Sequence, residues 1–184
     1  MRIFISVELP DSVKEKTAEL IKELKGIETD IKWVDPKNLH ITLKFLGWIE
    51  EKQFDNLTAL ATSAVSGSGS FKAIFRDLGT FPEGKSPRVV WVGAVEGGDK
   101  LCILAKVLEE KLSKAGFKAE EKTFKPHITI GRIKDKKGVD NIKEKIIQFK
   151  NTAFGEMTVD RVFIMKSTLT PGGPIYEKIK EIKL

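Results

Sequence analysis

Two short stretches of the chain carry the same chemically useful residues at the same spacing. Residues 38–47 read NLHITLKFLG and residues 125–134 read KPHITIGRIK, so the two histidines of the chain, His40 and His127, are each followed two residues later by a threonine. Two imidazoles with an ordinary pKa near 6.5 suit a reaction that needs one proton acceptor and one proton donor. Two hydroxyls can donate hydrogen bonds to the non-bridging oxygens of a phosphodiester. The pair therefore indicates acid–base chemistry at a phosphorus atom.

The first motif alternates polar and apolar residues in the way that is typical of a β-strand. Side chains on a strand point alternately to opposite faces. This alternation predicts that His40, Thr42 and Lys44 share one face and that Phe45 belongs to the other, apolar face. Two roles stay open for each of the last two residues. Lys44 is either a substrate-binding cation or a solvated lysine, and Phe45 either packs in the core or offers a stacking surface to a base.

The second motif repeats the alternation, so His127 and Thr129 are also predicted to share a strand face. Arg132 falls on the face opposite His127 unless Gly131 kinks the strand, which leaves phosphate binding and a structural ion pair equally open for Arg132. A single histidine on a strand is more often structural than catalytic, and threonine is a preferred strand residue. The doubled motif, rather than either copy alone, is what indicates a catalytic site.

The elements around each motif follow the same order, which indicates an internal duplication. Strands that open with Arg2 and Arg88 are each followed by a helix, a motif strand and a second helix, and the arginines and the histidines are offset by 86 and 87 residues. The predicted strands beyond the motifs are 2–9, 71–78, 88–95 and 157–165. The first predicted helix begins at Ser12, in a capping box with Glu15. Three more helices are predicted over 50–65, 99–115 and about 140–150. The conformation after the loop at 170–174 is left open.

Helices inserted between strands, and hairpin-sized loops such as that at 81–87, favour an α+β fold with mainly antiparallel sheets. The repeat predicts two duplicated, pseudo-symmetric lobes around a central cleft. Both lobes belong to one predicted domain over residues 1–184, with motif one at about 38–47 and motif two at about 125–134. A cleft between equivalent halves is the simplest way to bring both motifs together.

Composition limits the class of protein. The 184 residues suit one domain, and 41% of them are hydrophobic. No apolar run reaches the length of a membrane span, and a single cysteine provides no disulfide framework, so we expect a cytoplasmic protein with no membrane partner. We also expect a monomer, although no feature of the sequence determines the oligomeric state. The net charge of +6 and the pI near 9.3 suit a phosphate-rich partner such as RNA or, equally, a solvated surface rich in Lys and Glu. Abundant Lys and Glu with few Asn and Gln favour a thermophilic source.

Metal and cofactor chemistry finds little support in the sequence. Two histidines and one cysteine form no cluster of metal ligands, and neither a GxxxxGK[ST] loop nor a GxGxxG stretch after a strand is present. We therefore predict a metal-independent reaction that needs no cofactor. Cys102 lies in a helix rich in Leu and Ala and is predicted to be a partly buried, inert thiol. Tyr176 and Trp33 are predicted to pack in the core.

The stretches HITLKFLG, PRVVWVG and FKPHITIGR together resemble the two-histidine phosphoesterase superfamily and, within it, the RNA 2′,3′-cyclic phosphodiesterases, also called 2′-5′ RNA ligases. The resemblance covers essentially the whole chain and implies two α+β lobes around a V-shaped cleft. It also implies hydrolysis of RNA 2′,3′-cyclic phosphate ends, tRNA-derived ends among them, to 2′-phosphomonoesters. His127 would accept a proton from water, His40 would protonate the departing 3′ oxygen, and Thr42 and Thr129 would hold the phosphoryl oxygens. The family often has an arginine at the position of Arg132. The same site run backwards would join RNA ends through a 2′-5′ linkage.

The residues alone leave two alternative functions open. The same chemistry could act on a small nucleotide, such as an ADP-ribose cyclic phosphate, and the duplicated motif could bind a nucleotide or RNA without turnover. The residues also leave open which histidine is the acid and which is the base, because the two halves are nearly symmetric. The assignment above is implied by the resemblance.

Overall fold

The computed structural model describes residues 1–27, 30–84, 86–135 and 139–184, and these ranges contain both α-helices and β-strands. The helices are α1 (Asp11–Lys25), α2 (Phe54–Val65), α3 (Gly98–Lys114) and α4 (Val139–Gln148). The strands are β1 (Arg2–Glu8), β2 (Ile31–Trp33), β3 (His40–Trp48), β4 (Phe71–Phe81), β5 (Val89–Glu96), β6 (His127–Ile133), β7 (Ala153–Val159), β8 (Arg161–Thr170) and β9 (Gly173–Lys183).

The strands form two antiparallel sheets, each of which carries one of the histidines. The motif-one sheet has four strands in the order β3-β1-β8-β9 and contains His40. The motif-two sheet has five strands in the order β2-β6-β5-β4-β7 and contains His127. The predicted α+β fold, with two lobes built on mainly antiparallel sheets, is confirmed.

Each sheet is completed by strands from the other half of the chain. β4 follows the first repeat but lies in the motif-two sheet, whereas β8 and β9 follow the second repeat and lie in the motif-one sheet. The helices cross in the same way, because α1 contacts β7 and α3 contacts β3. One cluster of buried apolar side chains extends from Ile3 to Ile182. The two lobes therefore share a core.

The strand registers define which residues of the two repeats are equivalent. Glu8 and Gly93 each lie directly opposite a motif histidine. Counting back along the two strands, Arg2 corresponds to Pro87 and not to Arg88, so the two arginines are one residue out of register in the repeat. The order of elements in the two repeats agrees with the predicted duplication.

Two predicted helix starts differ from the structure. α1 begins at Asp11, and no side chain caps its first turn, so the predicted capping box of Ser12 and Glu15 is wrong. The helix predicted over 50–65 begins with a short 3-10 helix, Glu51–Gln53, before α2. A capping box is present at this second start, where the side chains of Glu50 and Gln53 exchange hydrogen bonds with each other's backbone.

The strand predictions differ most near the C-terminus. The single strand predicted over 157–165 is two strands, β7 and β8, which separate at Asp160 because they belong to different sheets. The segment that the sequence left open is β9, which pairs with β8 along its length. This hairpin supplies two of the four strands of the motif-one sheet.

Candidate active site

The two motif strands face each other across the cleft between the sheets. β3 is the edge strand of the motif-one sheet, and it contacts β6 of the motif-two sheet. His40, Thr42, His127 and Thr129 are all half-buried, whereas the apolar residues between them are buried. The predicted alternation is confirmed within each His–x–Thr motif. The histidines are close enough for the charge of one to affect the other.

The same backbone contact orients each imidazole. Nδ1 of His40 lies 2.7 Å from the carbonyl oxygen of Asn38, and Nδ1 of His127 lies 2.5 Å from that of Lys125. Because a carbonyl oxygen can only accept a hydrogen bond, each Nδ1 carries a hydrogen, and each Nε2 is the atom that takes up or releases a proton. Nε2 of His40 lies 2.9 Å from Oγ1 of Thr42, whose hydroxyl donates to it when the imidazole is neutral.

Aromatic rings pack against both imidazoles. The ring centroid of His40 lies 4.9 Å from that of Phe4 and 5.3 Å from that of Tyr176, and the Tyr176 contact is edge-to-face. The ring of His127 meets Phe81 edge-to-face at 5.0 Å. Contacts of this kind favour one orientation of each ring. They therefore support the orientation that the Nδ1 hydrogen bonds already favour.

Phe81 is held in turn by a tryptophan of the neighbouring strand. The rings of Phe81 and Trp91 lie 5.0 Å apart, and Trp91 pairs with Thr129 across the β5–β6 ladder. The indole of Trp91 lies against Gly79, where a Cβ atom would collide with it. Glycine at position 79 therefore allows the indole to lie flat between the second motif and β4.

Burial is the main electrostatic influence on the two imidazoles. It lowers the pKa of His40 and of His127 below the ordinary value of 6.5, because it disfavours the charged form. The hydrogen bonds to the backbone carbonyls oppose this shift by raising both pKa values. The positive charge of Arg132 lowers both further. Neutral imidazoles therefore predominate at neutral pH when the cleft holds no anion.

A β-bulge in β3 changes the alternation just after the first motif. Thr42 pairs with Ser6, but the next residue of β1, Ile5, pairs with Lys44, so that Leu43 is an extra residue on β3. An extra residue in one strand reverses the faces of the residues beyond it. Lys44 therefore points with Ile5 to the core, away from the cleft.

The contacts of Lys44 agree with this placement. Its side chain is 0% exposed, and its Nζ lies 2.5 Å from a carboxylate oxygen of Glu109 and 2.6 Å from the carbonyl oxygen of Lys118. The prediction that Lys44 shares a face with the first motif and binds substrate is wrong, and so is the alternative of a solvated lysine. Lys44 ties β3 to α3 and to the loop that precedes β6.

The same bulge brings Phe45 to the cleft face. Phe45 pairs with Phe4, whose ring packs against His40, and the guanidinium of Arg2 lies 4.9 Å from the centroid of the Phe45 ring. The prediction that Phe45 belongs to the apolar face is wrong for the same reason as the prediction for Lys44. The alternative of a ring that faces the cleft agrees with the structure.

A second bulge, at the equivalent place in β6, brings Arg132 to the cleft face. Thr129 and Gly131 lie opposite neighbouring residues of β5, so that Ile130 is the extra residue. Arg132 is exposed and lies on the same face as Thr129. The sequence placed Arg132 on the face opposite His127 unless the strand was kinked near Gly131, and this bulge is such a kink. Glycine is needed at position 131 because a Cβ there would collide with the ring of Trp33.

Tyr176, like Phe4 and Phe81, is a residue of this site whose position the sequence did not indicate. It was predicted to pack in the core, but it lies against His40, and the charges of Arg132 and Arg2 both act on its phenol. Burial raises the pKa of this phenol, and the two arginines oppose that rise. Its place follows from the pairing of β9 with β8, which no local pattern specifies. Trp33 packs partly buried against the core, as predicted.

The remaining sequence-based expectations concern Cys102, metal ions and membranes. Cys102 is partly buried, and burial followed by the charge of Asp99 raises the pKa of its thiol, which suits the predicted inert role. Across the described ranges, no group of three or more His, Cys, Asp or Glu side chains is placed to hold a metal ion. In the same part of the chain, every helix is too short or too polar to cross a membrane.

Comparison with known proteins agrees with this arrangement. The family model of the 2′-5′ RNA ligase superfamily matches residues 9–170. The chain belongs to this superfamily. The predicted family is thereby confirmed, and the match includes both His–x–Thr motifs.

Relatives within the superfamily are similar along nearly their whole length. The RNA 2′,3′-cyclic phosphodiesterase of Methanocaldococcus jannaschii is 39% identical, over 98% of this chain and 99% of its own. The protein of the same name from Thermotoga maritima is 40% identical, over 98% of this chain and 94% of its own. The relatives come from thermophiles, in line with the expectation from Lys and Glu content.

Two solved structures have a similar fold. The crystal structure of TT0787 of Thermus thermophilus has a TM-score of 0.82 and 29% identity, covering 100% of this chain and 98% of that one. The structure of E. coli LigT complexed with 3′-AMP has a TM-score of 0.77 and 23% identity, covering 100% and 97%. The fold of this chain is thus shared with both structures over nearly their whole length.

Proposed function

We propose that this protein hydrolyses RNA 2′,3′-cyclic phosphate ends to 2′-phosphomonoesters by the paired action of His40 and His127. The names of its relatives support an RNA 2′,3′-cyclic phosphodiesterase activity. The observation that carries the proposal is the matched pair of imidazoles in one cleft. Each has its Nδ1 bound to a backbone carbonyl and its Nε2 available for proton transfer.

The hydrolysis requires one proton to be taken from water and one to be given to the leaving oxygen. Nε2 of His127 accepts a proton as the water oxygen attacks phosphorus, and Nε2 of protonated His40 donates a proton to the 3′ oxygen as its bond to phosphorus breaks. The 2′ oxygen keeps its bond, which gives the 2′-phosphomonoester. The hydroxyls of Thr42 and Thr129 hold the non-bridging oxygens. Proton exchange with solvent restores both imidazoles.

Arg132 and Phe45 are proposed to bind the substrate. The guanidinium of Arg132 lies on the cleft face, close enough for its charge to lower the pKa of both histidines. A phosphoryl group bound between the two histidines would contact this guanidinium. The negative charge of this phosphoryl group would raise the pKa of both imidazoles and so help to keep His40 protonated. The ring of Phe45 offers a surface for a base. An RNA 5′-hydroxyl in place of water would run the reaction backwards and form a 2′-5′ linkage.

The proposal is tested with an RNA that ends in a 2′,3′-cyclic phosphate. We expect a 2′-phosphate product, and we expect His40→Ala and His127→Ala each to lower kcat by about 10²- to 10⁴-fold while RNA binding is retained. Thr129→Ala tests the hydroxyl of the second motif, and Thr168→Ala is its control. Thr168 is an exposed strand threonine that lies on the face of β8 opposite the cleft. Only Thr129→Ala should impair turnover.

Two outcomes would change the proposal. Unchanged hydrolysis by both single histidine variants would show that the imidazoles are not the catalytic groups. No hydrolysis of any cyclic phosphate by the unaltered protein, with binding intact, would favour a binding module. Faster turnover of an ADP-ribose cyclic phosphate than of RNA would keep the chemistry and replace the substrate.

A further inference from the structure

One end of the cleft carries a large apolar side chain that the proposed chemistry does not use. Trp48, the last residue of β3, is 78% exposed, which is unusual for a tryptophan. It pairs with Arg2 across the β1–β3 ladder, so the two side chains share a sheet face. That face also carries Phe45 and His40, because Leu46 is a second extra residue on β3, between Phe45, which pairs with Phe4, and Gly47, which pairs with Ile3. Trp48 therefore extends the cleft face away from the histidines.

Arg2 connects Trp48 to the candidate active site. Its guanidinium lies over the ring of Phe45, and its charge also acts on Tyr176 beside His40. The nearby carboxylate of Glu120 accepts a hydrogen bond from the backbone N–H of Phe45 at the free edge of β3. That acidic group lies at the edge of the strand and not on its cleft face. Two aromatic rings with a cation between them remain on the face.

Given the function proposed above, we propose that Arg2, Phe45 and Trp48 form an accessory subsite for the nucleotides that precede the cyclic end of a single-stranded RNA. Bases stack on the two rings, and Arg2 contacts a phosphate between them. Aromatic platforms interleaved with cations bind single strands in this way without reading their sequence. The substrate is then an oligonucleotide and not a mononucleotide.

The distance along the cleft face from His40 to Trp48 limits the number of nucleotides that the accessory subsite can contact. From Glu8, opposite His40, to Arg2, opposite Trp48, the distance is six residues of β1, or roughly 20 Å. At 3.4 Å per stacked nucleotide this corresponds to at most about six nucleotides. The value of kcat/KM should therefore rise with RNA length and level off by about that length.

The test compares cyclic phosphates from a single nucleotide to about eight nucleotides. We expect Trp48→Ala to lower kcat/KM on the longer RNAs by about 5- to 100-fold, with the mononucleotide unaffected, and Trp48→Phe to restore most of the loss. Ile147→Ala is the matched control, since Ile147 is 73% exposed on α4, outside the cleft strands. It should have no effect at any length.

Binding without turnover is measured in the His40→Ala background. There, Trp48→Ala should weaken binding of the oligonucleotide, and Arg2→Gln should reduce the slope of log affinity against log salt by about 0.7, the value for one phosphate contact on a single strand. An equal effect of Trp48→Ala on short and long substrates, or no effect on either, would overturn the subsite. Absence of all cyclic phosphate hydrolysis by the unaltered protein would instead overturn the proposed function, and the binding comparison would still decide the subsite.

Discussion

Replacement of Lys44 by methionine tests whether the bulge in β3 assigns this residue to the core or to the cleft. Methionine is close to lysine in length and is apolar, so Lys44→Met removes the charge while largely filling the space. The change eliminates the ion pair with Glu109 and the hydrogen bond to the carbonyl of Lys118. If Lys44 bound substrate, the variant would lose activity. If Lys44 is a core residue, the variant instead loses stability and keeps its activity.

The expected loss follows from the burial of the two partners. Breaking a buried ion pair by removing one partner costs about 3–5 kcal/mol, and the lower end applies here because the side chain of Glu109 is 29% exposed and keeps some contact with water. For a chain of this size, a loss of about 3 kcal/mol lowers Tm by roughly 6–12 °C. The value of kcat/KM should stay within about threefold of that of the unaltered protein.

Thermal unfolding followed by circular dichroism measures the first quantity, and hydrolysis of an RNA cyclic phosphate at a temperature well below Tm measures the second. Lys52→Met is the control, because Lys52 is 80% exposed and its pair with Glu50 should contribute at most about 1 kcal/mol. An unchanged Tm together with a loss of more than about tenfold in kcat/KM would refute the bulge-based placement of Lys44.

Two further predictions concern the conditions under which the protein works. The dependence of kcat/KM on pH should be bell-shaped, because one imidazole must be protonated and the other neutral, and its maximum should lie below pH 6.5 because burial, and then Arg132, lower both pKa values. Arg132→Gln should raise both pKa values and move the maximum to higher pH; a flat profile between about pH 5 and 8 would contradict paired catalysis. Excess chelator should leave the hydrolytic activity unchanged. Loss of the activity in chelator, with recovery when a divalent metal is added, would contradict a metal-independent reaction.

The two motifs, their place on strands and the duplication that contains them are all predictable from the order of residues along the chain. These are properties of spacing and period along the chain, and the alternation of polar and apolar residues is sufficient to show that His40 and Thr42 share a face. The same is true of His127 and Thr129. The superfamily followed from the same stretches, because they are contiguous in the chain.

The faces of the residues just beyond each motif, in contrast, depend on strand pairing. Phe45 and Arg132 each stand five residues after a histidine, and strict alternation sends both away from the cleft. A bulge at Leu43 and another at Ile130 bring them back, and the first also turns Lys44 into the core. A bulge depends on how two strands pair, and the partner strand is distant in sequence, so no local pattern reveals it.

The rest of the cleft depends on pairing of the same long-range kind. Tyr176 reaches His40 because β9 pairs with β8 and β8 pairs with β1, a chain of contacts that joins the two ends of the sequence. The lowered pKa of each imidazole likewise depends on which side chains bury it, Phe4 and Tyr176 for His40 and Phe81 for His127. Sequence spacing specified which groups do the chemistry, whereas strand pairing across the whole chain determined their surroundings, because burial and register are relations between segments and not properties of any one of them.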